Sequence, residues 1–364
     1  MRMRMRMRTG GRGGAARWAL AFGLAAFVAT LLPAVCGAAS FTEAGVASGR
    51  LAAISCPTAR LCYAAGDDRH GQAVFDTLLS GRQTSSRRVP GMQTVIDLSC
   101  PSRSFCLMTG DDSHGDPAIR ELSHGRFAAL SRPGFVAWRV FCPQVARCVI
   151  AGFGAGLKAA LAAADVIGGR VGPVHEHVLG RPVTSTGVYG LSCASMSACE
   201  MVGTADVTTS AGIGSVYAKV GPGGRISGVH VLELSSDPTL GDGIACARSA
   251  CYLPAGTQTQ GLLLSVAIGG SSLTQVATTT MVGQYVSCER DLSVCIAAGV
   301  GTGAVPALEA FRDGQPQGEQ DLPQLQAKDP LVGFVAVAMS SPASFVALAT
   351  EADSAQTQIV TGAP

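Results

Sequence analysis

Two short stretches concentrate the residue types that bind cations and sugars. They are Gly66-Asp67-Asp68-Arg69-His70-Gly71 and Gly110-Asp111-Asp112-Ser113-His114-Gly115. Carboxylates in clusters suit hard cations such as Ca²⁺, and Asp with His is a common set for holding hydroxyls. If the two stretches share a rim, Asp67, Asp68, His70, Asp111, Asp112 and His114 form one ligand-binding patch, with Ca²⁺ as the only cofactor expected. The competing reading is a pair of hairpin turns, because Asp and Gly are the residues turns use. His175-Glu176-His177 is a second candidate. In a strand its two imidazoles share a face, but no third ligand can be named, and exposed polar residues of an outer strand are the expected reading.

The cysteines supply a third kind of chemistry. Twelve of the 13 fall into six close pairs: Cys56 with Cys62, Cys100 with Cys106, Cys142 with Cys148, Cys193 with Cys199, Cys246 with Cys251, and Cys288 with Cys295. Zinc sites use closer cysteines with histidines at ligand spacing, and no pair here has one. Six disulfides are the expected arrangement, which leaves no free thiol nucleophile among the twelve. No Gly-x-Ser-x-Gly elbow is present, and a paired-carboxylate hydrolase needs no local motif.

What positions these residues is a repeat. The first cysteines follow one another at 44, 42, 51, 53 and 42 residues, the period of one four-stranded propeller blade. Each pair lies in similar text, such as TVIDLSCPSRSFCLMTG and QYVSCERDLSVCIAAG. A seventh copy, GFVAVAMSSPASFVALAT, keeps the apolar pattern without cysteine. Alternation before the first cysteine (Ile96, Leu98, Cys100; Trp138, Val140, Cys142; Tyr189, Leu191, Cys193) and after the second marks two strands per unit. Pro57, Pro101 and Pro143 are expected to open the turn between them. Weaker strands follow, such as Ala118–Leu122 and Arg126–Leu130. Gly168-Gly169, Gly223-Gly224 and Asp313-Gly314 read as outer turns. Leu157–Val166 fits either a short helix or a strand.

The fold expected is therefore all-β, a seven-bladed β-propeller with a hairpin disulfide in six blades. The blades span approximately 51–91, 92–135, 136–186, 187–240, 241–281, 282–330 and 331–364. The last unit has room for three strands, and residues 40–50 belong to none. A closed ring removes exposed edges, so this N-terminal strand is expected to complete the last blade from outside. Residues just before the first cysteines (Ser55, Ser99, Ser192, Ala245 and Ser287, with Phe141 the exception) are small, which suits close packing near the axis.

Residues 1–39 read as a signal peptide: six arginines without an acid, an apolar run from Trp18 to Leu32, then small residues. Met1, Met3, Met5 and Met7 are alternative starts. An uncleaved anchor is the alternative, the run being near the minimum that spans a bilayer; Pro33 argues against Cys36 as a lipidation site. Removing this segment leaves 21 basic against 25 acidic residues, a net charge of −4. Nucleic acid and anionic membrane surfaces are poor partners for such a chain. Export supplies the oxidising compartment disulfides require.

The text apolar-Ser-Cys-Pro-Ser/Thr-x-x-x-Cys-x-Ala-x-Gly resembles the cysteine-paired propeller repeats of exported actinobacterial proteins, some loosely described as sialidase-like. The resemblance covers the chain from about Ser40 onward. It implies the propeller and says almost nothing of function; the Asp-box Ser-x-Asp-x-Gly-x-x-Trp of sialidases is missing. The function expected is that of a secreted or cell-surface binding module, monomeric, for a glycan, peptide or protein. The alternatives are a lyase or glycoside hydrolase with its site at the channel mouth, and a purely structural surface protein.

Overall fold

The computed structural model describes residues 40–364, apart from short stretches at 155–158, 181–182, 208–212, 234–238, 258–259, 271, 302–303, 327–332 and 351–355. The expected signal peptide and Cys36 lie outside the described residues. From Ala38 onward the chain forms one compact unit.

The strands assemble into seven antiparallel sheets that follow one another along the chain. Blade one holds Arg50–Thr58, Leu61–Asp67, Ala73–Leu79 and Arg82–Arg88 in that order from the axis outward. Blades two to six begin at Met92, Val136, Val183, Thr239 and Val282, and blade seven at Gly333. Each innermost strand packs against the next, and that of blade seven against that of blade one, which closes the ring. The protein is a seven-bladed β-propeller. Of the stretch Leu157–Val166, the first two residues lie outside the described residues and the rest falls in strand Ala160–Ile167 apart from Ala159. The strand is buried on both faces from Ala160 to Ala164, which removes the alternation that would have identified it.

The core is distributed between the blades. Seven apolar clusters each join two successive blades, such as Leu107, Ile119, Val140 and Ile150 between blades two and three. Aromatics are scarce, so Ala, Val, Leu and Ile form most of this packing. The outer hairpins of blades one, two, three and six are two-residue turns with both residues at positive φ, as at Gly168-Gly169 and Asp313-Gly314, whereas blade four turns through a 3-10 segment, Pro222–Gly224. The two-residue conformation matches the twist of the strands it joins.

Strand Ser40–Ser48 completes blade seven from outside, pairing antiparallel with Gln356–Ala363 from Ser40↔Ala363 to Ser48↔Gln356. Phe41 is buried against Phe345, ring centroids 5.3 Å apart. Buried Thr357 fastens the seam, its hydroxyl accepting from Leu51 N at 2.8 Å and donating to Gly49 O at 2.8 Å.

All six disulfides form, across Cα–Cα distances of 3.9–4.1 Å. The second cysteine of each pair is buried between blades and the first faces the channel mouth. The turn after Pro57 comes at Ala59-Arg60, two residues later than the proline suggests, because the strand bulges and continues to Thr58.

A further bulge recurs in the innermost strands. The register slips at Ala52, Ile96, Trp138, Tyr189, Gln284 and Val335. An inserted residue moves everything before it to the other face. The core-facing residues are therefore Val95, Ala137 and Val188, not Ile96, Trp138 and Tyr189 as alternation implied. Opposite the bulge the backbones come very close. A Cβ on Gly66, Gly110, Gly152, Gly203 or Gly299 would lie only 1.8–2.1 Å from a carbonyl oxygen of the inner strand, so glycine is required there.

Candidate functional site: the central channel

The two Gly-Asp-Asp turns lie in adjacent blades and share one groove of about 440 Å³, lined by His70, Arg88, Gln93 and Ser113 among others. Their carboxylates do different work from that expected of a cation site. Asp68 accepts from His70 N at 2.7 Å and Gln72 N at 3.0 Å. Asp112 accepts from His114 N at 2.8 Å and Asp116 N at 3.1 Å, and pairs with Arg132. These backbone donors hold both carboxyls below the usual range. Each is an Asx-type cap on its own turn. Asp67 is different: burial raises its pKa although Val95 N–H donates to it, and it lies near Asp111. Asp111 exchanges hydrogen bonds with Thr94 at 3.3 Å. Among the described residues no group of three or more His, Cys, Asp or Glu stands where a metal could be held. His175, Glu176 and His177 lie on the outer edge of blade three, with the latter two exposed.

The innermost strands build a different site. Their unpaired edge N–H groups face the axis, and a side chain of the preceding blade takes several of them. Ser55 Oγ accepts from Cys100 N at 2.9 Å, Ser99 from Cys142 N at 2.9 Å, Ser192 from Cys246 N at 3.0 Å, and Ser287 from Met339 N at 2.9 Å. The small residues before the cysteines are thus hydrogen-bond acceptors that stitch blade to blade, rather than simply small. Phe141, Ala245 and Ala338 stand at the same place in the other blades and offer no side-chain acceptor.

Two residues further in, the channel is charged. Asp97 accepts from Leu98 N at 2.9 Å and from Val140 N of the next blade at 2.8 Å. Arg139 donates through Nε to Tyr189 O and through Nη1 to Trp138 O. Burial raises the Asp97 and Asp242 carboxyls, with the Arg139 charge pulling the other way on both. Tyr285 hydrogen-bonds to Asp242, and burial beside that carboxyl pushes its phenol up to about 12. The Arg139 guanidinium, the Asp97 and Asp242 carboxyls and the Tyr189 and Tyr285 phenols, from five successive blades, thus converge on a cavity of about 380 Å³. Toward the disulfide face it opens into a mouth of about 660 Å³, lined by Ser55, Ser99, Ser192 and Ser287 and carrying Arg248, Glu289 and Arg290.

None of these channel charges was singled out in the sequence. Asp97, Arg139 and Tyr285 each stand three residues before a first cysteine, so aligning the repeats on cysteine places all three on one ring. That alignment is the signal that could have found them.

Comparison with solved structures fits the class of protein the fold defines. The β-propeller domain of Swd1 from Myceliophteria thermophila aligns with 88% of this chain and 99% of its own, at 8% identity and a TM-score of 0.55. YCF48 from Cyanidioschyzon merolae covers 89% of this chain and 99% of its own, at 11% identity and a TM-score of 0.55. A GH74 xyloglucanase from Xanthomonas campestris aligns with 88% at 12% identity and a TM-score of 0.52, and the present chain spans about half of it, 55%. At such identities the likeness is one of fold, and proteins of unlike function share that fold. No protein-family model matches the chain, and no curated protein matches it at a significant level.

Proposed function

We propose that this protein is an extracellular binding module that takes a small polar ligand, a segment of a glycan or peptide, into the central channel from the disulfide face. The observation that carries this reading is the convergence of Arg139, Asp97, Asp242 and Tyr285 at the base of an open, serine-lined mouth. Concave sites with a few convergent polar groups are where ligands bind. Arg248, Glu289 and Arg290 give the mouth donors and acceptors for hydroxyls, amides or carboxylates. Six disulfides suit an oxidising compartment, no helix among the described residues is long and apolar enough to cross a membrane, and the repeats resemble those of exported actinobacterial propellers.

Trp138 provides the test. Its indole packs against Tyr189 of the channel wall at 5.4 Å, and it is the sole tryptophan after Trp18. Titrating the oxidised protein with cell-wall glycan fragments and short peptides should give a saturable change in its fluorescence. Arg290→Ala should weaken that binding at least about tenfold, the usual loss for a charged anchor. Flat titrations across the panel would favour a structural surface protein instead. A hydrolase or lyase reading draws on the Asp242 carboxyl, whose pKa burial raises, since raised carboxyls in clefts are candidates for acid–base work. Turnover of a bound glycan, abolished by Asp242→Asn with binding retained, would favour it.

A further inference from the structure

Blades five and six meet with a thinner apolar core than most, and beside it lies a second cavity of about 590 Å³. Blade five contributes Gln260 and Thr278, Thr279 and Thr280 to its wall, and blade six contributes Glu309 and Glu319. Glu309 lies on strand Pro306–Arg312 between Ala307 and Phe311, both part of the apolar cluster of this interface. It is 3% exposed, and its Oε2 has no hydrogen-bond partner. Directly across the strand pair stands Glu319, which accepts from the Thr280 hydroxyl. Like charges opposed in this way destabilise a sheet.

The fold does not need this arrangement. Three other acids withdrawn from solvent each serve a backbone donor or a side-chain amide through one oxygen, although Glu121, like Glu309, keeps a buried oxygen without a partner. Asp165 accepts from Gly223 N at 3.0 Å, Glu200 from Gly269 N at 3.0 Å, and Asp76 from the Gln83 amide. Among the described residues no backbone N–H donates to Glu309. The charge beside it is another carboxylate, and the blade-five wall is hydroxyl and amide only. Among the described residues that line the cavity none is a cation. No metal geometry is present among the described residues, whereas a compact group with three donors fits two carboxylates and a hydroxyl.

We propose that this interblade cavity binds a primary ammonium group, held between Glu309 and Glu319 with a threonine hydroxyl as third acceptor. Two sources, an amino sugar and a lysine side chain, share this chemistry. The site is separate from the channel and independent of the reading given for it. Burial and the Glu319 charge push the Glu309 carboxyl up to about 7. Asp321, exposed on the same strand and set with Glu319 against Gly301, is the next acid along. An ammonium therefore competes with the Glu309 proton, and binding releases it.

Calorimetric titration of the intact oxidised protein with glucosamine and with Nα-acetyl-lysine methylamide tests the proposal. N-acetylglucosamine and the Nε-acetylated lysine derivative serve as neutral controls. At least one amine should bind and its acetylated counterpart should not. For the lysine derivative, whose ammonium stays charged throughout, affinity should rise about tenfold between pH 6 and pH 8, as the ionised fraction of Glu309 does; for glucosamine, which loses its own proton in this range, the rise should be smaller. Glu309→Gln and Glu319→Gln should each lose binding at least about tenfold, with their thermal melts showing a folded ring. Glucosamine alone binding assigns the amino sugar, and the lysine derivative alone assigns a peptide. Silence from both amines, equal binding of the acetylated controls, or unchanged binding in folded Glu309→Gln overturns the proposal.

Discussion

At four places around the axis a serine hydroxyl accepts the edge N–H of the next blade's first strand. Removing one leaves a part-buried donor without its acceptor, which costs about 1 kcal/mol or somewhat more. Ser99→Ala should lower the urea midpoint by that amount without changing the slope, whereas an exposed serine such as Ser85→Ala should not. Glu309 gives the residue scale its pH dependence. Its folded carboxyl is raised to about 7, above the unfolded range, so the folded state binds the proton more tightly. Stability must then fall as pH rises from about 4.5 to about 7 and stay lower above it. Glu309→Gln removes that fall: its melting temperature should exceed the parent's at pH 8, with the difference shrinking toward pH 5. Asp97 and Asp242 are raised in the same direction and will add to the parent's loss of stability on the alkaline side.

The element that governs the site is the bulged inner strand. Gly110 stands opposite the bulge with Thr94 O only 2.1 Å from where a Cβ would be, while a Cβ on Gly333 would meet nothing within 4 Å. Gly110→Ala should therefore destabilise by about 2–3 kcal/mol through forced backbone shifts, and Gly333→Ala should stay within about 0.5 kcal/mol; chemical denaturation of both variants checks the contrast. The same bulge explains which parts of the molecule were legible in the sequence. The cysteine-phased repeat reports blade number, hairpins and ring closure because it is local and recurs. Alternation counted backward from cysteine runs through the bulge without registering it, so it sets Ile96 and Trp138 on the face of the cysteines and gives no sign of Asp97 and Arg139 in the channel. The Asp68 and Asp112 turns were visible as motifs, but their caps were not, because backbone donors carry no sequence signature. Glu309 and Glu319 meet only through strand register, and their threonine wall only through the packing of a neighbouring blade. A disulfide belongs to this scale too. Cys100→Ala with Cys106→Ala should lower stability by about 2 kcal/mol from the short loop alone, as read by calorimetry.

For the whole molecule, closure rests on one strand. Phe41 is the largest side chain that strand buries, and Phe41→Ala should cost about 3 kcal/mol. The loss should appear as a single cooperative transition at lower temperature if the ring melts as a unit. Two early transitions would mean that blade seven opens first. The seam also sets a timetable. Each disulfide joins residues only five to seven apart and can form once its own hairpin is made. The seam joins Ser40 to Ala363, so the first strand made waits, unpaired, until the last has arrived. A chain halted before Gln356 would have every cross-link and no partner for its opening strand. Sealing the ring therefore requires that the chain run on through Gln356–Ala363, and a chain that stops short of it keeps an unpaired edge.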